Sequence, residues 1–184
     1  PPLIEPPGKW FSDAAQEDWN KRMQRVEGSA FELTVDHVFL PAMKSGGDIC
    51  RLGVHERLVP VVRNIEWSDE NDMVLCPGTY YLLQSAETLN MPAWLYARVE
   101  PRTTLFRMGC SMDCASAHPG YAGVITVGLY VHSCSSGVLL GRGARFCNLH
   151  FLEFDSRRPR DTHPYGGIWS GKKTDTGGKC ERAF

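Results

Sequence analysis

Residues 102–123 read RTTLFRMGCSMDCASAHPGYAG and run directly into GVITVGLYV at 123–131. Two arginines, Arg102 and Arg107, flank two hydroxyls, Thr103 and Thr104, and a Gly-containing turn leads into a strand-like run. Guanidinium groups offer planar forks of donors that suit phosphate or carboxylate, and threonine hydroxyls and turn amides supply further short bonds to the same oxygens. The stretch therefore reads as an anion site beside a strand. In the strand, period-two alternation places Ile125, Val127, Leu129 and Val131 on one face and Val124, Thr126, Gly128, Tyr130 and His132 on the other.

The surrounding chain has the same β character. From residue 30 to 154, short strand-like runs are broken by SGGD (45–48), SDEND (68–72), CPG (76–78) and HPG (118–120), which predicts a mainly β domain. Ahead of it, residues 1–9 are Pro-rich. SDAAQEDWNKRMQR (12–25) has capping-box spacing between Asp13 and Gln16, with Phe11, Ala15, Trp19 and Met23 at i, i+4, so a short packing helix is expected. Residues 155–184 turn polar and rich in Gly and basic groups. The expected division is an arm and helix at 1–25, a β domain at 26–154 and a C-terminal tail at 155–184.

Several segments in sequence order resemble the trimeric dCTP deaminase and dUTPase superfamily, more closely its deaminase branch. VEGSAFELTVDHVF (26–39) looks like its early strand, and PGTYYLLQSAETLNMPAWLYARVEPRTTLFRMG (77–109) follows its central pattern. HPGYAGVITVGLYV (118–131) resembles its aspartate-Pro-Gly-aromatic-x-Gly turn and strand, and GVLLGRGARFCNLHFLEF (137–154) its closing segment. The resemblance implies an all-β, distorted barrel or jelly-roll with a short N-terminal helix and a flexible C-terminal lid, assembled as a homotrimer with pockets at subunit interfaces. It also implies that Arg102, Thr103, Thr104, Arg107, Ala115, Tyr121 and Gly128 line a pocket for a pyrimidine deoxynucleoside triphosphate or related anion. Mg2+ would be carried by the substrate phosphates, with no protein-bound metal. PYGGIWSGKKTDTGG (164–178) looks like a variant of the family's closing lid, with Trp169 as its cover aromatic and Lys172 and Lys173 near the phosphates. A basic tail without function is the competing reading.

The departures fall where chemistry is expected. The family's turn carries an aspartate where this chain has His118, and the deaminase branch carries a proton-moving glutamate on the following strand where this chain has Gly128. His118 and Thr103 become the candidates for activating water, since a neutral imidazole serves as a base near pH 7. Asp113 lies five residues before His118 and does not simply inherit the aspartate's role. A glycine inside a strand also marks a bulge or a close approach of another group, and loss of a glutamate there would enlarge the pocket. Arg102 and Arg107 have an alternative reading as structural ion-pair partners, for instance of Glu100, and Tyr121 as core packing. Gly141-Arg142-Gly143 reads as a hairpin turn. Two functions follow: a diverged deaminase-type hydrolase, or a protein of the same fold that kept the pocket and lost the ancestral chemistry.

Composition narrows the partners. At 184 residues the chain fits one domain with room for a core, and its net charge of −1 argues against a broad grip on a nucleic-acid polymer or an anionic membrane. No apolar run is long enough to span a bilayer, and PPLIEPPGKW lacks a signal-peptide layout. Seven cysteines without compact spacing read as free thiols, which suits a reducing, cytoplasmic setting. Cys110, Cys114 and His118 recur every fourth residue but lack the tight knuckle of a metal site.

Overall fold

The structure is a computed structural model; it describes residues 2–5, 17, 21, 30–42, 51–52, 57–59, 61–153 and 181–183. Its centre is two long strands, β2 (Ala30–Ala42) and β7 (Thr79–Asn90). Around them run β1 (Ile4–Glu5), β5 (Val61–Ile65), β8 (Leu95–Pro101), β9 (Cys110–Asp113), β10 (Ser116–Ala117), β11 (Ala122–Val131) and β13 (Arg145–Glu153). The order is β10-β8-β13-β2-β7-β11-β9, with β1 on β7 and β5 on β2, giving nine strands. Every pairing among these nine is antiparallel. β6 (Asp72–Leu75) and β12 (Val138–Gly141) form a separate ribbon, and β3 (Arg51–Leu52), β4 (Arg57–Val59) and β14 (Glu181–Ala183) a small third sheet. The one helix with described ends is α1 (Thr103–Arg107).

The sheet curls because β2 belongs to two halves. Residues 30–34 pair with β13, while 35–42 pair with β7 and β5. The register shifts between Val35 and His37, leaving Asp36 as the extra residue of a bulge, which bends a strand and increases its twist. Asp36 is held there from several sides. Its backbone oxygen accepts from Trp67 Nε1 at 2.7 Å, and its carboxylate accepts from Arg142 Nη2 at 2.7 Å. Arg142 stands in the β12–β13 turn expected from Gly141-Arg142-Gly143, where Gly143 has φ +81°.

One face of each strand fills the core. On β11, Ile125, Val127, Leu129 and Val131 are all buried, as the alternation requires, and they meet Leu33, Val35, Val38, Leu83, Leu89, Ala97, Val99 and Leu149. β7 keeps its alternation, burying Tyr81, Leu83, Ser85, Glu87 and Leu89, although its pairing with β11 is irregular between Gln84 and Thr88, where residues 85–87 oppose Ile125 alone. That alternation carries Glu87 into the interior at 0 % exposure. A buried charge is costly unless it is hydrogen-bonded, and Thr34 answers it by donating its backbone N–H at 2.9 Å and its hydroxyl at 2.7 Å. Ser85 joins the same region, donating to the Glu87 carbonyl and accepting from Ile125 N.

Glu17 and Lys21 are helical and ion-paired at 2.7 Å, as an i, i+4 pair on a helix would be. The rest of the expected 12–25 helix lies outside the described residues. So do Trp169, Lys172, Lys173 and most of 155–184, apart from the three residues of β14, which pair in parallel with β4.

Candidate functional site

α1 follows directly from β8 and turns through Gly109 (φ +78°) into β9. Only Leu105 of the helix is buried; Thr103, Thr104 and Arg107 face solvent. The two arginines differ. Arg102 Nε pairs with Glu32 Oε1 at 3.0 Å, and the other oxygen of Glu32 takes Arg145 Nη1 at 2.7 Å. The ion-pair partner of Arg102 is thus Glu32, and Glu100 is engaged instead by Arg98 at 3.1 Å and His150 at 3.5 Å. Arg107 has no ion pair among the described residues; its guanidinium lies 6.0 Å from the Phe106 ring centroid.

His118 and Tyr121 occupy the turn before β11. The His118 carbonyl accepts from Tyr121 N at 3.0 Å, and the exposed imidazole stands edge-on to Tyr96, 5.6 Å between centroids. Tyr121 is half-buried against the core and donates its hydroxyl to the Val124 carbonyl; burial pushes its phenol up to about 12. Strand register separates this turn from α1. β9, which continues α1, pairs Cys110 with Val131 at the far end of β11, whereas His118 precedes Ala122 at its start. Within the chain, then, Arg107 and His118 lie toward opposite ends of the same strand.

Ala115 is exposed at the corner where the chain leaves β9 for β10. Beside it, burial, with smaller contributions from Asp113 and Glu100, pushes the Cys114 thiol up to about 11. Cys110 is buried, and like Cys76, Cys114, Cys134 and Cys147 it is a free thiol. Among the described residues, no group of three His, Cys, Asp or Glu is placed to hold a metal ion.

Gly128 sits between two strands, opposite Leu82 of β7 and Asp113 of β9. No enlarged space lies above it. The ring of Tyr80, diagonal to it on β7, crosses over the glycine, and a Cβ added at 128 would overlap the phenol oxygen. Tyr80 Oη donates to Asp113 Oδ2 at 3.2 Å. Partial burial, then the Asp113 charge and this hydrogen bond, raise the Tyr80 phenol, so it stays protonated as the donor. Along the same face, Gln84 Nε2 donates to Thr126 Oγ1 at 3.3 Å, and Tyr130 meets His132 edge-on at 5.0 Å.

Comparison with known proteins decides what kind of scaffold this is. A family model described as dCTP deaminase-like matches residues 22–154. The chain belongs to that family. Among curated proteins, a probable deoxyuridine 5'-triphosphate nucleotidohydrolase of Methanosarcina acetivorans is 30% identical over 119 residues, 65% of this chain and 67% of that protein. A dUMP-forming dCTP deaminase of Coprothermobacter proteolyticus is 33% identical over 130 residues, 69% of this chain and 68% of that protein. The dUMP-forming dCTP deaminase of Persephonella marina is 27% identical over 155 residues, 83% and 81% of the two chains. The crystal structure of 2'-deoxycytidine 5'-triphosphate deaminase from Agrobacterium tumefaciens aligns with TM-score 0.55 at 15% identity. That alignment covers 81% of this chain and 42% of the Agrobacterium chain, and it supports a dUTPase-like β fold. Membership of the dCTP deaminase-like family places the chain in deoxynucleotide metabolism.

Tyr80 is the residue of this region that sequence reasoning passes over. The signal was available. A mid-strand glycine leaves a gap that a neighbouring side chain must cover, and alternation along β7 puts Tyr80 on the outer face, opposite to the buried Tyr81.

Proposed function

We propose that this protein is a diverged hydrolase of the dCTP deaminase type, acting on a pyrimidine deoxynucleoside triphosphate or a related anionic small molecule. The observation that carries the reading is the open presentation of Thr103, Thr104 and Arg107 on α1, within the family-matched region, with Arg107 free of ion pairs among the described residues. Arg107 supplies the charged fork, Thr103 and Thr104 supply hydroxyl donors, and Arg102 adds what its pairing with Glu32 leaves over. Mg2+ travels with the substrate phosphates. His118 and Thr103 are the groups that would help water attack, with release of ammonia or pyrophosphate.

The separation of α1 from His118 along β11 supports an assembly. A site that needs both is completed when one subunit presents α1 and a neighbour presents the 118–121 turn, which suits a homotrimer with pockets between subunits. Such an enzyme would work in the cytoplasm without contacting a nucleic-acid polymer or a membrane; no described helix is long and apolar enough to cross one. A second reading draws on Gly128: with Tyr80 laid over the place of the family's glutamate, the fold serves as a small-molecule binding protein or acts on another substrate. A panel of dCTP, dUTP and their monophosphates, followed for ammonia and pyrophosphate release and for thermal-shift binding, tests both. Turnover supports the hydrolase, and binding without turnover supports the second reading. A complete lack of response, or a monomer by light scattering at micromolar concentration, overturns the interface-pocket enzyme.

A further inference from the structure

We propose that Asp113, held by Tyr80 over Gly128, is the base-reading contact of this site, an acceptor pair that selects a ligand ring bearing an amino group over one bearing a carbonyl at the same place. The inference rests on the nucleotide reading above and adds to it a specificity that the relatives leave open, since their names divide between deoxyuridine and deoxycytidine triphosphates.

Three observations carry it. The first is location. Asp113 is the last residue of β9, the strand that continues from α1, and it stands three residues beyond Cys110, about 10 Å at ~3.3 Å per residue. Arg107 and Asp113 thus belong to one continuous stretch, α1 into β9, which can offer a cation to the phosphate end of a ligand and an acceptor to its ring. The second is chemistry. An ionised carboxylate only accepts hydrogen bonds, and a phenol that has given its proton to that carboxylate can only accept further ones. Asp113 and Tyr80 therefore present acceptors side by side, suited to the two N–H groups of an exocyclic amine and unsuited to a carbonyl oxygen. The same negative charge repels phosphate, which directs the phosphate end toward Arg107. The third is fit. The pair is open to solvent, with Tyr80 38 % exposed, and its geometry depends on glycine at 128, because any side chain there would displace the phenol.

The test measures binding of dCTP and dUTP to the full chain and four variants by calorimetry, with thermal unfolding as a control for folding. The unmodified protein is expected to prefer dCTP by about tenfold, the factor that one well-placed hydrogen bond gives. Asp113→Asn, which places an amide donor in the pair, should abolish or invert the preference at unchanged folding. Tyr80→Phe keeps the ring over the glycine but frees the carboxylate, and should narrow the preference; Gly128→Ala should mimic it. Arg107→Ala should weaken both nucleotides alike. Equal binding of dCTP and dUTP that is still sensitive to Arg107 leaves the nucleotide reading standing and overturns this inference. A preference that survives both Asp113→Asn and Tyr80→Phe also overturns it, and leaves Tyr80 as a cover for the glycine alone. If neither nucleotide binds, the nucleotide reading fails and the base-selecting role falls with it.

Discussion

Two carboxylates flank the pairing of β7 and β11, and they live opposite lives. Glu87 is fully buried and answered by both donors of Thr34. Asp113 is exposed and, among the described residues, takes one hydrogen bond, from the Tyr80 phenol at 3.2 Å. An interior carboxylate must be saturated, because each unmet lone pair has no water to turn to. A surface carboxylate can keep lone pairs in reserve for a ligand. The arginines repeat the contrast, with Arg102 engaged by Glu32 and Arg107 open. Chemical type alone, then, does not mark a functional residue in this fold; the number of partners already taken does.

The largest effect should come from Glu87. Glu87→Ala strands two Thr34 donors in the core and leaves a void, and is expected to cost about 3–5 kcal/mol in urea unfolding, whereas Asp113→Ala should cost no more than about 1.5 kcal/mol, the worth of its hydrogen bond from Tyr80. Comparable losses for the two would break the distinction. Next comes the arginine pair. Arg107→Ala should lose about 1.5–3 kcal/mol of nucleotide binding with little change in folding. Arg102→Ala should lose less binding and show part of its cost in stability, through the release of Glu32. Equal binding losses would mean that Glu32 lets go of Arg102 when the ligand arrives. The smallest effect is expected at Gly128. There, Gly128→Ala must turn the Tyr80 ring aside, costing about 0.5–1.5 kcal/mol for the lost hydrogen bond. The Tyr80 phenol should then titrate closer to an ordinary tyrosine, which ultraviolet difference titration against Tyr80→Phe can read.

Much of this was legible in the chain itself. The alternation of β11 is written in GVITVGLYV, and the buried face is the one that period two assigns. The turns at 76–78, 118–120 and 141–143 follow from their Gly and Pro. What escapes a reading along the chain is set across it. Asp113 looks displaced from the chemistry because it precedes the Pro119-Gly120 turn by several residues, yet the pairing of β9 with β11 brings it opposite Gly128. Glu87 shares the alternating inner face of Tyr81, Leu83 and Leu89, and what a reading along the chain misses is Thr34, 53 residues away on β2, whose two donors let a carboxylate sit there. The exchange of Glu100 for Glu32 as the partner of Arg102 has the same origin, since β2 and β8 meet through β13 and not through sequence proximity.

The bulge at Asp36 has a consequence for how the chain reaches this structure. Since β2 lends one part of its length to β13 and the other to β7 and β5, neither half of the sheet can close before it arrives. The Arg142 partner of Asp36 is 106 residues away in sequence. Contacts of such separation demand that a large loop be ordered before they repay it, which slows folding in proteins dominated by non-local pairing. Refolding should therefore be slow for a chain of this size, with both halves of the sheet gaining protection from amide exchange in one step, and Asp36→Ala should chiefly delay that step.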